Sequence, residues 1–233
     1  MLGVRARATA LGATVLVGMM APQQAAALRG AGEPAAAQAR ADAGVLRLYL
    51  ARHGQTDWNL EGRLQGSADI PLNRTGRQQA ALLAQRLSGV RLDAVYSSEL
   101  RRSRETAAIV HGSAPSIALA GLNERRLGAF EGRIGGPEYA RRSRDPDDAL
   151  DGGESLSQFF ARVRAALTGI LARHGSGSIL VVGHGGTNQM IVRALFGLSA
   201  ERALAFQQAN DELYLCELAS GRPVRFWKLD ERY

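Results

Sequence analysis

The chain of 233 residues is 45% hydrophobic and 22% charged, which excludes a disordered, collagen-like or polytopic membrane protein and fits one globular domain, at most two. A single cysteine, Cys216, excludes an internal disulfide and any cysteine-built zinc or iron–sulfur centre, so stability must come from a packed core. The net charge of +7 is almost wholly guanidinium, Lys228 being the only lysine; arginine suits phosphate and carboxylate recognition, although an arginine-rich codon usage gives the same count.

Residues 1–27 hold no acid, carry Arg5 and Arg7 ahead of an apolar run over residues 8–20, and end in Ala25-Ala26-Ala27. This pattern is expected of a secretory signal peptide cleaved after Ala27, the run being too short for a permanent membrane span. A periplasmic or secreted protein without membrane contact after leader cleavage is expected, a cytoplasmic one being the alternative. Residues 28–44 lack apolar periodicity and read as a flexible linker, which leaves 45–233 as the folded domain.

The first strand is expected over residues 45–51, breaking at Gly54. Thr75 and Gln78 form a capping box ahead of a helical stripe of Ala80, Leu83, Ala84 and Leu87, and a short strand over residues 94–97 precedes a helix over 99–111 capped by Ser98. A third strand is expected over residues 116–119. Residues 122–153 are rich in Gly, Arg, Asp and Pro and read as a lid-like, mobile excursion with a weak helix near 137–143. Ser155 and Gln158 box the start of a long helix through Leu156, Phe159, Val163, Leu167 and Leu171, stopped by Gly175. An apolar strand over residues 179–182, a helix over 186–196 and strands over 213–218 and 224–229 complete an α/β pattern.

Two strands end alike, in Ala51-Arg52-His53-Gly54 and in Val182-Gly183-His184-Gly185-Gly186. Each sets a histidine past a strand's carboxyl end, the edge at which open α/β sheets bind ligands and helix N-termini point their donors. The tripeptide Arg-His-Gly also occurs at Arg173-His174-Gly175, where it follows an amphipathic helix and reads as a helix C-terminus, with Gly175 as left-handed cap; His111 also sits at a helix end.

Arg52-His53-Gly54 with Thr56, Trp58 and Asn59 resembles the signature of the histidine phosphatase superfamily, the phosphoglycerate mutase-like proteins. The resemblance continues through Ser97-Ser98-Glu99-Leu100-Arg101-Arg102, Leu122-Asn123-Glu124, Gly152-Gly153-Glu154-Ser155 and the second histidine motif, in that order, over roughly residues 46–229. It implies a three-layer α/β/α sandwich on a mostly parallel six-stranded sheet in which the two histidine-bearing strands are neighbours. It implies His53 as nucleophile, Glu124 as general acid and base, and Arg52, Arg102 and His184 as the groups that neutralise the phosphoryl oxygens. Asn59, Gln65 and Gly185 join the substrate-binding set, whereas Thr56 is expected to brace its loop.

The chemistry agrees: a phosphate dianion repels anionic nucleophiles, and a neutral imidazole avoids that repulsion. Neither a metal nor another cofactor is called for, since His53 and His184 lie in separate motifs and Asp145, Asp147 and Asp148 lack calcium-loop spacing. Mutases of this family carry a longer insertion than the 60 residues between Glu124 and His184, and a tyrosine where Leu127 stands; both favour a phosphomonoesterase. Arg125, Arg141 and Arg142 keep a cofactor-dependent mutase as an alternative, beside an inert phosphate-ligand binder. The expected partner is a small phosphorylated substrate. Nucleic acid is not expected, because no aromatic residues interleave the arginine clusters.

Overall fold

The computed structural model describes residues 44–111 and 116–229; the signal peptide expected over residues 1–27 and the linker up to residue 43 lie outside the described residues. Six strands, β1 (Val45–Arg52), β2 (Ala94–Ser97), β3 (Ser116–Ala118), β4 (Gly177–Gly183), β5 (Leu213–Ala219) and β6 (Arg222–Leu229), form one sheet in the order β3-β2-β4-β1-β5-β6. The first four are parallel, and β5 and β6 add an antiparallel margin. The sheet is therefore mostly parallel, as expected, and β1 lies beside β4 with Arg52 opposite Gly183.

Helices cover both faces, and strand alternation decides which residue meets which layer. Leu46, Leu48 and Leu50 of β1 and Ile179 and Val181 of β4 pack under α5 (Leu156–Leu171) and α6 (Gly185–Phe196), through Phe159, Val163, Ile170, Met190 and Ile191. Tyr49, Ala51, Leu180 and Val182 face the other way, against Leu83 and Leu87 at the end of α2 (Arg74–Arg86) and Ala107 and Val110 of α3 (Arg101–Val110). Burial on both sides explains why these strands read as continuous apolar runs.

Several boundaries differ from expectation. The cap of α2 is Asn73, whose side chain accepts from Gly76 N–H, not Thr75. Gly76 packs on the preceding loop, where an added Cβ would lie 2.1 Å from Gln55 O, and this contact fixes where the helix can begin. Ser98 does not cap α3, which starts at Arg101 behind Leu100; its hydroxyl is spent inside the site described below. The helix α5 ends at Leu171, and Gly177, the first residue of β4, rather than Gly175, takes a positive φ, 92°. A short helix, α7 (Ala200–Leu204), and α1 (Asp57–Leu60) were not anticipated.

The excursion over residues 122–153 holds a 3-10 turn, Gly128–Phe130, and helix α4, Pro137–Arg142. It has a small core of its own, Leu127, Phe130 and Leu150, flanked by Leu64 and Tyr139. Arg142 ties α4 to Asp148 and Asp151 through four hydrogen bonds of 2.7–2.9 Å.

Candidate active site

Because β1 and β4 are adjacent and parallel, their terminal histidines leave the sheet side by side. The His53 and His184 rings lie 5.0 Å apart between centroids, both buried. Residue His53 donates its backbone N–H to Gly183 O at 3.0 Å, and its Nδ1 lies 2.8 Å from Gly54 O. A carbonyl can only accept, so Nδ1 carries the proton of the neutral ring and Nε2 keeps its lone pair. Burial pushes the His53 pKa well below 6.5, helped by the Arg102 and Arg52 guanidinium groups and opposed by the Gly54 carbonyl. The ring is thereby held as a neutral base. Glycine at 54 is required, since an added Cβ would lie 2.3 Å from Gly76 O.

Arg52 donates to Gln208 O at 2.9 Å, while its buried Nε has no partner. Arg102 is fully buried in the first turn of α3, donating to Ala68 O at 2.6 Å, Gly66 O at 2.9 Å and His184 Nδ1 at 3.2 Å. Burial, chiefly, lowers its pKa to about 10, against the pull of Glu124 and Asp69, so it stays cationic at neutral pH. His184 is likewise held neutral, by burial first and then by Arg102, His53 and Arg52. Its two ring nitrogens are both engaged within the protein, Nδ1 by Arg102 and Nε2 by Ser98 Oγ at 2.7 Å.

Glu124 lies against the N-terminus of α6, where Oε2 accepts from Gly186 N–H and Oε1 from Arg125 N–H, each at 2.9 Å. Glycine at 186 makes the approach possible, because an added Cβ would lie 2.5 Å from Glu124 Oε1. Gly185 opens α6 with Arg52 Cζ 3.7 Å from where its Cβ would be. Thr56 braces its turn as expected: it caps α1 and exchanges a capping box with Asn59, whose Oδ1 takes Thr56 N–H and Oγ–H at 3.1 Å. With Oδ1 so engaged, Asn59, which lines the cavity, has Nδ2 left as the donor it can offer a ligand. Gln65 is 8% exposed, with its Oε1 unpartnered.

These groups share one polar cavity of about 440 Å³ lined by Arg52, His53, Asn59, Gln65, Arg102 and Glu124 at one part of its wall, with Gly185. His184 lies just beyond the lining, so all but one of the expected site residues reach the cavity surface. Residues not foreseen complete it: Tyr139 and Arg144 from the excursion, and Gln189 and Gln207 from the α6–α7 side. Two supporting groups were also missed. Gln208 accepts from Asn188 Nδ2 at 2.7 Å and donates to Leu50 O at 2.9 Å, carrying the carbonyl that holds Arg52. Arg162 pairs with Glu154 at 2.7 Å and reaches the carbonyls of Gly121 and Asn123, fixing the backbone that presents Glu124. Neither has a local motif; both act on segments about 40 to 160 residues away in sequence. Among the described residues, no three His, Cys, Asp or Glu side chains converge as a metal-ligand set.

Residues 48–229 match the family model of the histidine phosphatase superfamily, branch 1. The chain is 35% identical over 175 residues to "Probable 2-carboxy-D-arabinitol-1-phosphatase" of Arabidopsis thaliana, covering 70% of this chain and 36% of that much longer relative. It is 34% identical over 178 residues to "Probable phosphoglycerate mutase GpmB" of Serratia proteamaculans, covering 71% and 83% of the two chains. Its fold superposes on a phosphoserine phosphatase of Entamoeba histolytica with a TM-score of 0.69 at 28% identity, covering 78% and 96%. His53, Arg52, Arg102 and Glu124 line one cavity with His184 packed directly behind it, and on these matches the chain belongs to the histidine phosphatase superfamily.

Proposed function

We propose that the protein is a metal-independent phosphomonoesterase that works through a phosphohistidine on His53. The observation that carries this reading is the Nδ1 to Gly54 O bond, which leaves the Nε2 lone pair of a neutral ring in a cavity walled by two cationic guanidinium groups. In the first step His53 Nε2 attacks phosphorus, the phosphorus–ester oxygen bond breaks, and the leaving alkoxide takes a proton from the Glu124 carboxyl. In the second step Glu124 accepts a proton from water, whose oxygen displaces His53 from phosphorus. Arg52, with its unpartnered Nε, and Arg102 hold the charge on the non-bridging oxygens throughout, while Asn59 Nδ2 and Gln65 add neutral donors. Phosphomonoester hydrolysis is slow enough without catalysis that enzymes supply up to about 10²¹-fold acceleration, so each fixed donor matters.

Relatives include proteins named as phosphatases and as phosphoglycerate mutases. Hydrolysis is favoured here because two of the arginines that a mutase reading would call on, Arg125 and Arg142, are spent within the protein, although Arg144 lines the cavity. Arg125 spends its guanidinium on Glu154 O, Ser143 O and Asp148 O, and Arg142 on Asp148 and Asp151, so neither presents a free fork to a substrate carboxylate. Small phosphorylated substrates fit the cavity and the relatives. Export is part of this proposal, supported by the signal-peptide pattern expected over residues 1–27; N-terminal sequencing of the protein recovered from the periplasm or medium, with a start at Leu28, tests it.

The test of the chemistry is steady-state hydrolysis of an aryl phosphate in the presence of EDTA. Turnover that His53→Ala abolishes, with an acid-labile phosphoryl group trapped on the wild type, supports the proposal. Glu124→Ala should keep aryl phosphate turnover and lose alkyl phosphate turnover, because an aryl leaving group needs little protonation. No hydrolysis together with stable phosphorylation by 2,3-bisphosphoglycerate would replace it with a mutase.

A further inference from the structure

We infer that the leaving-group side of the cavity selects a phosphomonoester whose leaving group carries a hydroxyl close to the ester oxygen, and that Gln189 is the residue that reads it. Turnover of such an ester rests on the phosphatase reading; its preferential binding does not.

Gln189 Nε2 lies 3.2 Å from Leu204 O and 2.9 Å from Phe206 O. A carbonyl can only accept, so both amide protons are spent on the backbone at the end of α7, and Oε1 is the group left to meet a ligand. Gln207 repeats the pattern more loosely, its Nε2 donating to the same Leu204 O at 3.1 Å. Both residues line the cavity, and among the described residues neither Oε1 has a partner. A ligand that displaces water from such an oxygen without offering a proton in return loses affinity.

Position follows from helix spacing. On α6, Gln189 shares a face with Gly185 and Gly186 and lies one turn, about 5.4 Å, further along. Gly185 stands against Arg52 and Gly186 against Glu124. A substrate with its phosphoryl group at His53, Arg52 and Arg102 and its ester oxygen at Glu124 therefore brings the next atoms of its leaving group toward Gln189. Leu156, Phe159, Met190 and Leu204 supply apolar wall in the same cavity, which fits a short carbon skeleton whose hydroxyl then has an acceptor to meet. An ammonium would also donate, but Arg144 lines this cavity with a guanidinium that pairs with nothing among the described residues, and like charges repel; a hydroxyl meets no such penalty.

The test measures binding by titration calorimetry to the full chain carrying His53→Ala, so that no ester is consumed, with hydroxyethyl, methoxyethyl, aminoethyl and propyl phosphate. Hydroxyethyl phosphate should bind about 3–10-fold more tightly than propyl phosphate, the range of one neutral hydrogen bond. Methoxyethyl phosphate, which keeps the oxygen but has no proton to give, should rank with propyl phosphate. Adding Gln189→Leu should bring the ratio of hydroxyethyl to propyl affinity to one or below. Gln189→Lys, which keeps donors for Leu204 O and Phe206 O and has no acceptor, should do the same, whereas a purely structural role would weaken all four esters alike. With His53 restored, kcat/KM should follow the same order. Propyl phosphate bound as tightly as hydroxyethyl phosphate, or a preference that survives in either folded Gln189 variant, overturns the inference, and aminoethyl phosphate bound most tightly overturns the choice of a hydroxyl. The expected binding order without turnover by the wild type fails the phosphatase reading alone.

Discussion

The bond between His53 Nδ1 and Gly54 O at 2.8 Å decides which nitrogen can attack, and burial beside two arginines decides that it stays unprotonated. Ring protonation of His53, followed by ¹⁵N shift, should therefore have its midpoint below pH 6.5; a midpoint at or above that value contradicts this electrostatic account. Glu124 depends on an equally local fact. Gly186 offers it an N–H at 2.9 Å and has no Cβ to displace it. Gly186→Ala should cut turnover of alkyl phosphates at least tenfold while leaving the thermal midpoint near or above wild type, because alanine stabilises a helix by up to about 1 kcal/mol over glycine. Equal loss of both readouts would mean that Gly186 serves packing rather than the carboxylate.

At the scale of elements, the apolar strands, the long helix boxed by Ser155 and the two histidine-bearing strand ends were legible because each is written in a local pattern. Ser155 does cap α5, with Gln158 closing the box. The misplaced cap at Thr75 shows the limit of that reading: Asn73 starts α2 because Gly76 must meet the Gln55 backbone, a contact between segments that no local pattern contains. The same holds for Ser98, which reads as a helix cap and is spent instead on His184, and for Gln208, invisible until the chain brings β5 beside β1. The excursion reads as mobile from composition, yet Arg125 joins two of its carbonyls, Ser143 O and Asp148 O, to Glu154 O just past its end, at 2.7–3.1 Å. Arg125→Ala should raise hydrogen exchange and proteolytic cleavage over residues 137–153 selectively, and Arg125→Lys should not rescue it, since an ammonium lacks the planar fork that serves three acceptors. Unchanged exchange there in Arg125→Ala would show that the Leu127, Phe130 and Leu150 core suffices.

Across the whole molecule, the buried ionisable groups bound the range of pH over which the fold is most stable. His53 and His184 both have native pKa values well below 6.5, set chiefly by burial, whereas the unfolded chain takes up both protons near that pH. Their contribution is fully present above pH 6.5 and is lost as pH falls toward the native values, each at up to about 1.4 kcal/mol per pH unit. The Asp148 carboxyl, hydrogen-bonded by Arg142 and lowered to about 2, acts in a separate window, its stabilisation persisting until pH drops below the ordinary aspartate range. At the alkaline side, burial raises the Cys216 thiol from 9.0 to about 12, so the unfolded chain ionises first and stability falls as pH rises above 9. Maximal stability is expected between about pH 6.5 and 9. Urea midpoints measured at half-unit intervals should fall steeply from pH 6.5 to 5, and His53→Gln, which removes one of the two protons, should roughly halve that slope without moving the alkaline limb. A wild-type midpoint that is flat from pH 7 to 5 would mean that the two rings are solvated enough to titrate in the folded state, and the neutral-nucleophile argument would fall with it.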